Sequence, residues 1–167
     1  MYEYDVSKSN MWREVHEQPE IIRHVIDVNL PIIENICKEV DNRNISKVLL
    51  VGRGSSEHAL LVGKYAFEIY TDKLTSMAYP SIITLLDGKL DLSDVLTIGA
   101  SQCGEAKDVY TVLEKCQNQG GIAVSVTNEH ECLMRNVGNY YINCECGKET
   151  SFTAAKSYMS QMVITLL

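Results

Sequence analysis

The sequence predicts an α/β domain in which helices cover both faces of a parallel sheet. From residue 47 onward, short apolar runs typical of buried strands alternate with longer stretches of helical periodicity. Two of the apolar runs end in a turn of glycine with hydroxyl or amide residues, and each turn leads into a helix. Parallel strands separated by helices bring such turns to the same edge of a sheet.

The residues before the sheet predict helices. Apolar side chains recur at helical spacing over residues 12–40, but this stretch contains two prolines. Proline suits the first turn of a helix and disrupts its interior. We therefore predict a short helix over 10–17, a helical segment from Pro19, and a kink or restart at Pro31.

The remaining elements follow the alternation along the chain. Strands are predicted where apolar runs are short, at 48–51, 76–79, 95–100, 122–127 and 140–143. Helices are predicted where apolar residues recur every three or four positions, at 57–70, 81–86, 105–119 and from Ser151 onward.

Composition and charge exclude several classes of protein. The 167 residues are 46% hydrophobic and 22% charged, as in an ordinary globular domain. A net charge of −7 argues against a nucleic-acid partner, because binding along a phosphate backbone requires clustered basic residues. No apolar run has the length that a signal peptide or membrane span needs, so we expect a cytoplasmic protein with no membrane partner. Its six cysteines are then expected to be reduced thiols.

Two turns carry the residues that indicate a ligand. The first is Gly-Arg-Gly-Ser-Ser over 52–56, and the second is Ser-Gln-Cys-Gly-Glu over 101–105. Their small residues allow close approach of the backbone to a ligand, and the N–H groups of a helix N-terminus favour an anion. Ser55 or Ser56 could instead only cap the next helix, whereas Gln102 exceeds what a structural turn requires. Together the turns predict a pocket for a small phosphorylated molecule.

Neither a dinucleotide, a nucleoside triphosphate nor a metal is expected. The third glycine of a dinucleotide fingerprint would fall at Glu57, and the second strand ends without an acidic residue to hold a ribose. The phosphate-loop sequence GxxxxGK(S/T) does not occur. His130, Cys132, Cys144 and Cys146 lack the usual zinc spacing, so we predict no metal and no cofactor.

Four ordered motifs resemble those of the SIS (sugar isomerase) domain family. They are the two turns, Val-Ser-Val-Thr-Asn over 124–128, and the stretch from Glu-Thr-Ser-Phe to Ala-Ala-Lys-Ser-Tyr over 149–158. Residues 11–19, Met-Trp-Arg-Glu-Val-His-Glu-Gln-Pro, are similar to the leader of the isomerase half of glucosamine-6-phosphate synthase and of its deaminase and deglycase relatives. The resemblance implies a flavodoxin-like three-layer α/β/α fold with a five-stranded parallel sheet, preceded by N-terminal helices.

The resemblance also implies a phosphosugar pocket and assigns roles within it. In the family, the loop after the third strand grips the phosphate, the serines of the first turn contact the sugar, and backbone of the fourth motif closes the site. The substrate-binding residues implied here are Ser55, Ser56, Ser101, Gln102, Cys103, Gly104 and, through its backbone, Phe152.

This chain departs from the family pattern within the phosphate loop. Cys103 stands where the family usually has serine, and Ala106 stands where it usually has threonine. Two hydroxyl donors are thereby lost, and a thiol is a poor donor. Each lost hydrogen bond to a phosphate could cost about 1.5–3 kcal/mol, which predicts a weaker grip or a different ligand.

The expected function is that of a phosphosugar-binding SIS lobe. Residues 45–167, after a helical leader over 1–44, are expected to be the first lobe of a sugar-phosphate isomerase, an aminosugar-phosphate deaminase or a fructosamine-phosphate deglycase. The apolar stretch 162–167 has no helix cap, which predicts a chain cut within its last helix and a homodimer that buries the exposed helices. In the family the second lobe carries a catalytic glutamate at the place that Glu68 occupies in this lobe, so the resemblance implies Glu68 as the candidate catalytic base. The alternative is a non-catalytic phosphosugar-sensing module.

Overall fold

Five parallel strands form the central layer of the structure, a computed structural model that describes residues 5–167. They are β1 (Lys47–Gly52), β2 (Leu74–Met77), β3 (Leu96–Ser101), β4 (Ile122–Thr127) and β5 (Tyr140–Asn143). Each neighbouring pair is parallel, and the strand order is β2-β1-β3-β4-β5. The strand count and direction confirm the prediction, although β2 begins two residues earlier than expected.

Helices lie on both sides of this sheet. They are α1 (Asn10–Asn42), α2 (Ser55–Tyr70), the single turn α3 (Ser81–Thr84), α4 (Lys107–Asn118) and α5 (Lys156–Leu166). Short 3-10 turns lie at Val6–Lys8 and Leu133–Asn136. Over residues 5–167, no helix has the length and apolar character to cross a membrane.

The strands are apolar because helices cover both faces of the sheet. All six residues of β3 and all six of β4 are buried. On one face, Leu60 of α2 and Ile164 of α5 share an apolar cluster with Leu50 of β1 and with residues of α1. On the other face, Leu113 of α4 belongs to a second cluster with Val51. These three layers are the α/β/α fold that the sequence predicts.

The first helix differs from the prediction. The sequence predicts breaks near Pro19 and Pro31, yet α1 continues through both prolines for 33 residues. A proline inside a helix leaves the carbonyl four residues earlier without its N–H donor. Those carbonyls belong to Val15 and Asp27, which are exposed, so water can supply the missing hydrogen bonds. Six other residues of α1 are buried, and this packing keeps the helix whole.

The strand order reverses at β1, between the crossover to β2 and the crossover to β3. The chain passes from β1 to β2 on one side and then returns to place β3 on the other side of β1. Gly52 at the end of β1 is therefore the neighbour of Ala100 near the end of β3. Ser101 is in turn the neighbour of Thr127 at the end of β4. Ligands of open α/β sheets bind at such a reversal of strand order.

Candidate functional site

The turn after β1 carries two serines whose hydroxyls form no hydrogen bond within residues 5–167. Gly54 has a φ of 57° and is the residue before α2, so it occupies a backbone conformation that glycine tolerates best. Neither Ser55 nor Ser56 caps α2, and within residues 5–167 neither hydroxyl has a hydrogen-bond partner. Ser55 is exposed, whereas Ser56 is largely buried. The alternative that these serines only cap the helix is therefore wrong, and neither serine caps α2 at all.

The turn after β3 needs its glycine. Gly104 has a φ of 66°, and a Cβ at this position would lie 2.3 Å from the Cys132 sulfur. Its N–H donates to the Ser101 carbonyl at 3.3 Å, and its carbonyl accepts from Met134 N at 3.0 Å. The loop is thus held between the end of β3 and the segment after β4.

The same turn leaves backbone donors free. In the described part of the chain, the N–H groups of Cys103, Glu105 and Ala106 donate to no protein acceptor. Ala106 precedes α4 and provides no side-chain cap. Ser101 is 8% exposed, and its hydroxyl lies 3.8 Å from the Cys103 sulfur. Successive N–H groups around a residue of positive φ form a concave site that suits an anion.

A charged contact joins the two turns. Arg53, the residue between the two glycines of the first turn, forms an ion pair with Asp108 in the first turn of α4. The guanidinium donates through Nη1 to Asp108 Oδ2. Asp108 Oδ1 also accepts from Val109 N at 2.9 Å. The ion pair therefore holds a guanidinium, with its charge balanced by Asp108, at the first turn of α4.

Glu149 connects the second turn to α5. Gln102 donates through Nε2 to Glu149 Oε2 at 2.8 Å. Glu149 Oε1 accepts from the backbone N–H groups of Ala155 and Lys156, both at 2.8 Å, and the Ser157 hydroxyl donates to Oε2. One carboxylate therefore caps α5 and orients the amide of Gln102. Sequence reasoning missed this role, although Glu149 begins the fourth motif.

The loop before α5 is fastened to α1. Lys156 is 5% exposed, and its Nζ donates to Glu17 Oε2 at 2.8 Å and to the Lys148 carbonyl at 3.2 Å. Gln18 Nε2 donates to the Ala155 carbonyl at 3.0 Å. These contacts hold residues 151–155 outside the helix, so α5 begins at Lys156 instead of Ser151. The motif over residues 11–19 thus supplies side chains that hold the fourth motif in place.

Glu14 makes the most concentrated of these contacts. Its carboxylate is 1% exposed and accepts from Thr150 N at 2.5 Å, from Thr150 Oγ1 at 3.0 Å and from Ser151 N at 3.1 Å. The Ser151 hydroxyl donates to its other oxygen. Burial would raise the pKa of this carboxyl, but the hydrogen bonds outweigh it and lower the pKa to about 2. Glu14 belongs to the leader motif over residues 11–19, but the sequence analysis assigned it no role.

Comparison with known proteins agrees with this geometry. Over 159 residues, or 93% of its length, the chain is 30% identical to glutamine-fructose-6-phosphate aminotransferase (isomerizing) of Sulfolobus acidocaldarius, of which it covers 26%. A crystallised candidate phosphosugar isomerase of Silicibacter pomeroyi superposes on 95% of the chain with a TM-score of 0.89 and 26% identity. Over nearly its whole length the chain is therefore similar to one part of the aminotransferase, and it shares the fold of the S. pomeroyi protein. No family model matches the chain.

The relatives are longer than the chain described here. The chain spans about a quarter of the curated relatives that it matches, such as the aminotransferases of S. acidocaldarius and Thermococcus kodakarensis. It covers 48% of the S. pomeroyi protein. It covers the same share of the C-terminal domain of glucosamine-fructose-6-phosphate aminotransferase from Francisella tularensis, with 24% identity and a TM-score of 0.81, which shows a common fold.

Two further residues were predicted for the site, Phe152 through its backbone and Glu68 as a base. Phe152 is fully exposed, in the loop that Glu14 and Glu149 hold at its two ends. Glu68 lies thirteen residues after Ser55 on α2, or about 20 Å along the helix axis. It pairs with Lys64 of the same helix. The structure therefore does not bring Glu68 to the carboxyl edge of the sheet.

A separate cavity of about 350 Å³ lies on the α1, α2 and α5 side of the sheet, toward the amino ends of the strands. Its lining is mostly apolar and includes Ile36, Phe67 and Leu167, with Asp41 and Lys73 as its charged residues. Such a lining offers few donors to an anion. Unpaired backbone N–H groups and hydroxyls are found instead at the carboxyl edge of the sheet.

Proposed function

We propose that this chain binds a phosphorylated sugar at the carboxyl edge of its sheet. The observation that carries the proposal is the position of the two turns, which the pairing of β1 with β3 brings side by side. One turn offers unpaired hydroxyls and the other offers unpaired backbone N–H groups. Sugar hydroxyls and phosphate oxygens require these two kinds of partner.

Each part of the site has a distinct task in this proposal. The N–H groups of Cys103, Glu105 and Ala106, together with the hydroxyl of Ser101 and the amide of Gln102, bind the phosphate. The N-terminus of α4 adds its favourable dipole. The serines of the first turn bind sugar hydroxyls, and the backbone near Phe152 closes the open side.

The whole protein is proposed to be a sugar-phosphate isomerase, an aminosugar-phosphate deaminase or a fructosamine-phosphate deglycase. The names of the relatives support this class, and the chain spans about a quarter of their length. Proton transfer between neighbouring carbons requires a free acid or base. In the chain described here, Glu14, Glu149 and Lys156 are all engaged in structural contacts. We therefore expect the isolated chain to bind phosphosugars with little or no turnover.

The structural hydrogen bonds of Glu14 and Glu149 also favour a second candidate, a non-catalytic phosphosugar-sensing module. A sensor requires recognition but no positioned base. The two candidates make the same prediction for the isolated chain and differ for the whole protein. Interconversion of glucose 6-phosphate and fructose 6-phosphate, or release of ammonia from glucosamine 6-phosphate, by the whole protein would exclude the sensor.

A homodimer in the cytoplasm completes the proposal. Leu61, Tyr65 and Ile69 repeat every four residues on α2 and are all exposed, which makes an apolar stripe that a second copy could cover. The six cysteines are all unpaired, as expected in a reducing compartment. Sedimentation velocity tests the dimer, and a monomer at all concentrations would contradict it.

Calorimetric titration tests the binding site. Glucose, fructose and glucosamine 6-phosphates are compared with the same sugars without phosphate, and only the phosphorylated forms should bind. Ser101→Ala should weaken the tightest of them about tenfold, the cost of one hydrogen bond to a charged group. Ser46→Ala is the matched control, since Ser46 is exposed before β1 at the other edge of the sheet. Equal binding of sugars with and without phosphate would contradict the proposal, as would no binding at all.

A further inference from the structure

We propose that Arg53 is a direct phosphate ligand in this site and compensates for the hydroxyls that the loop lacks at Cys103 and Ala106. This inference rests on the proposed function and deepens it. It names the side chain that decides how strongly the phosphate is bound. It also predicts that the site selects a doubly charged phosphate monoester.

The position of Arg53 is the first observation. Arg53 follows Gly52, the last residue of β1, so its backbone lies at the carboxyl edge beside β3. Its side chain crosses from the first turn to the first turn of α4, where it meets Asp108. Asp108 is two residues beyond Ala106. The guanidinium is therefore held at the first turn of α4, the helix that the second turn leads into.

The unused donors of Arg53 are the second observation. A guanidinium has five N–H groups, and one nitrogen of Arg53 donates to Asp108. In the chain from residue 5 to 167, its other nitrogens have no protein acceptor. The side chain is 69% exposed, which leaves these donors accessible to a ligand. Asp108 accepts from Val109 N at 2.9 Å, so the carboxylate that holds the guanidinium is itself fixed.

The chemistry of the loop explains why an arginine is useful here. Serine and threonine would each offer a neutral hydroxyl, whereas cysteine offers a weak donor and alanine none. A guanidinium presents a fork of N–H groups that matches two phosphate oxygens, and its bonds are charge-assisted. Its attraction grows with the charge of the phosphate. The dianion, which prevails above the second phosphate pKa of about 6, should therefore bind more tightly than the monoanion.

Calorimetric titration of Arg53 variants tests the inference with the tightest of the three hexose 6-phosphates. Arg53→Gln should weaken binding about 10- to 100-fold, and Arg53→Lys should weaken it less because the charge remains. Arg23→Gln removes the same charge from an exposed position on α1 and should change the affinity less than about twofold. Equal effects of Arg53→Gln and Arg23→Gln would overturn the inference.

A rescue experiment separates phosphate binding from a structural role of Arg53. Adding Cys103→Ser and Ala106→Thr to Arg53→Gln should recover most of the lost affinity, because the two hydroxyls restore the donors that Arg53 replaces. A loss that these substitutions do not recover would overturn the proposed compensation. The wild-type titration distinguishes the two levels of proposal. If the wild type binds none of the hexose 6-phosphates, the proposed function fails. If Arg53→Gln binds them as tightly as the wild type does, only this inference fails.

Discussion

The N-termini of α4 and α5 lie at the same edge of one sheet, but only that of α5 is capped by a carboxylate from the preceding loop. At α5, the carboxylate of Glu149 accepts from two backbone N–H groups. At α4, Ala106 offers no side chain, and the preceding N–H groups have no acceptor in the described chain. The two sites have the same backbone chemistry. The comparison indicates that an anion is expected at α4 and that a structural carboxylate takes its place at α5.

The difference has a mechanical consequence. Hydrogen bonds from Glu14, Glu17 and Gln18 connect α1 to the loop before α5 and to the first residue of α5. Gln102 connects the Glu149 carboxylate to the second turn. The closed N-terminus is therefore a rigid support for the open one. Removing the Glu149 carboxylate should therefore lower the stability of the fold directly and weaken ligand binding indirectly.

The largest effect is expected for Glu149→Ala. The substitution leaves two N–H groups of α5, the Ser157 hydroxyl and the Gln102 amide without their acceptor, which should lower the free energy of unfolding by about 3 kcal/mol. Urea unfolding measures this loss, and Glu20→Ala on the exposed surface of α1 is the control. Added inorganic phosphate should raise the free energy of unfolding of Glu149→Ala more than that of the wild type. An unchanged midpoint would mean that the carboxylate is not a cap.

Glu14→Gln should lower the free energy of unfolding by about 2 kcal/mol at pH 7. Because the pKa of Glu14 is lowered to about 2, its ionised form is the one that the fold stabilises. This contribution is complete above the ordinary pKa of 4.5 and is lost as the pH falls toward 2. Unfolding measured at pH 7 and pH 3 should therefore show a smaller difference between wild type and Glu14→Gln at the lower pH. A difference independent of pH would contradict the assignment.

A smaller effect is expected from adding hydroxyl donors to the loop before α4. Cys103→Ser combined with Ala106→Thr should tighten hexose 6-phosphate binding by up to about 2 kcal/mol, because two hydroxyls return to the phosphate loop. The gain should be smaller with Arg53 present than in the Arg53→Gln background. Calorimetry measures both, and weaker binding in the double variant would indicate that the loop serves another ligand.

The smallest effect is expected for Glu68→Gln. Glu68 pairs with Lys64 near the far end of α2, and the side chains are 39% and 28% exposed. A pair of this kind contributes about 0.5 kcal/mol, and the site lies about 20 Å away along the helix. Hexose 6-phosphate affinity should stay within twofold of the wild type. A tenfold loss of affinity in calorimetry would indicate that Glu68 does contribute to the binding site.

Much of the carboxyl edge was predictable because its signals are local. Gly54 and Gly104 occupy backbone conformations that favour glycine, and each stands just after a short apolar strand. The strands themselves follow from continuous apolar runs, and β4 and β5 have the predicted limits. The beginning of α5 was not predictable, because residues 151–155 have helical character but are held by side chains of α1.

The sequence by itself determined the parallel α/β order, the two turns and the residues that form them. These features depend on periodicity and on glycine geometry, which act over a few neighbouring residues. Only the tertiary structure decided that α1 passes through Pro19 and Pro31, because exposure of the unpaired carbonyls and burial of the other face depend on packing. It also decided which charges meet, since Arg53 and Asp108 are 55 residues apart and Glu14 lies 137 residues from Ser151. Such pairs are set by the arrangement of strands and helices, and no local pattern specifies them.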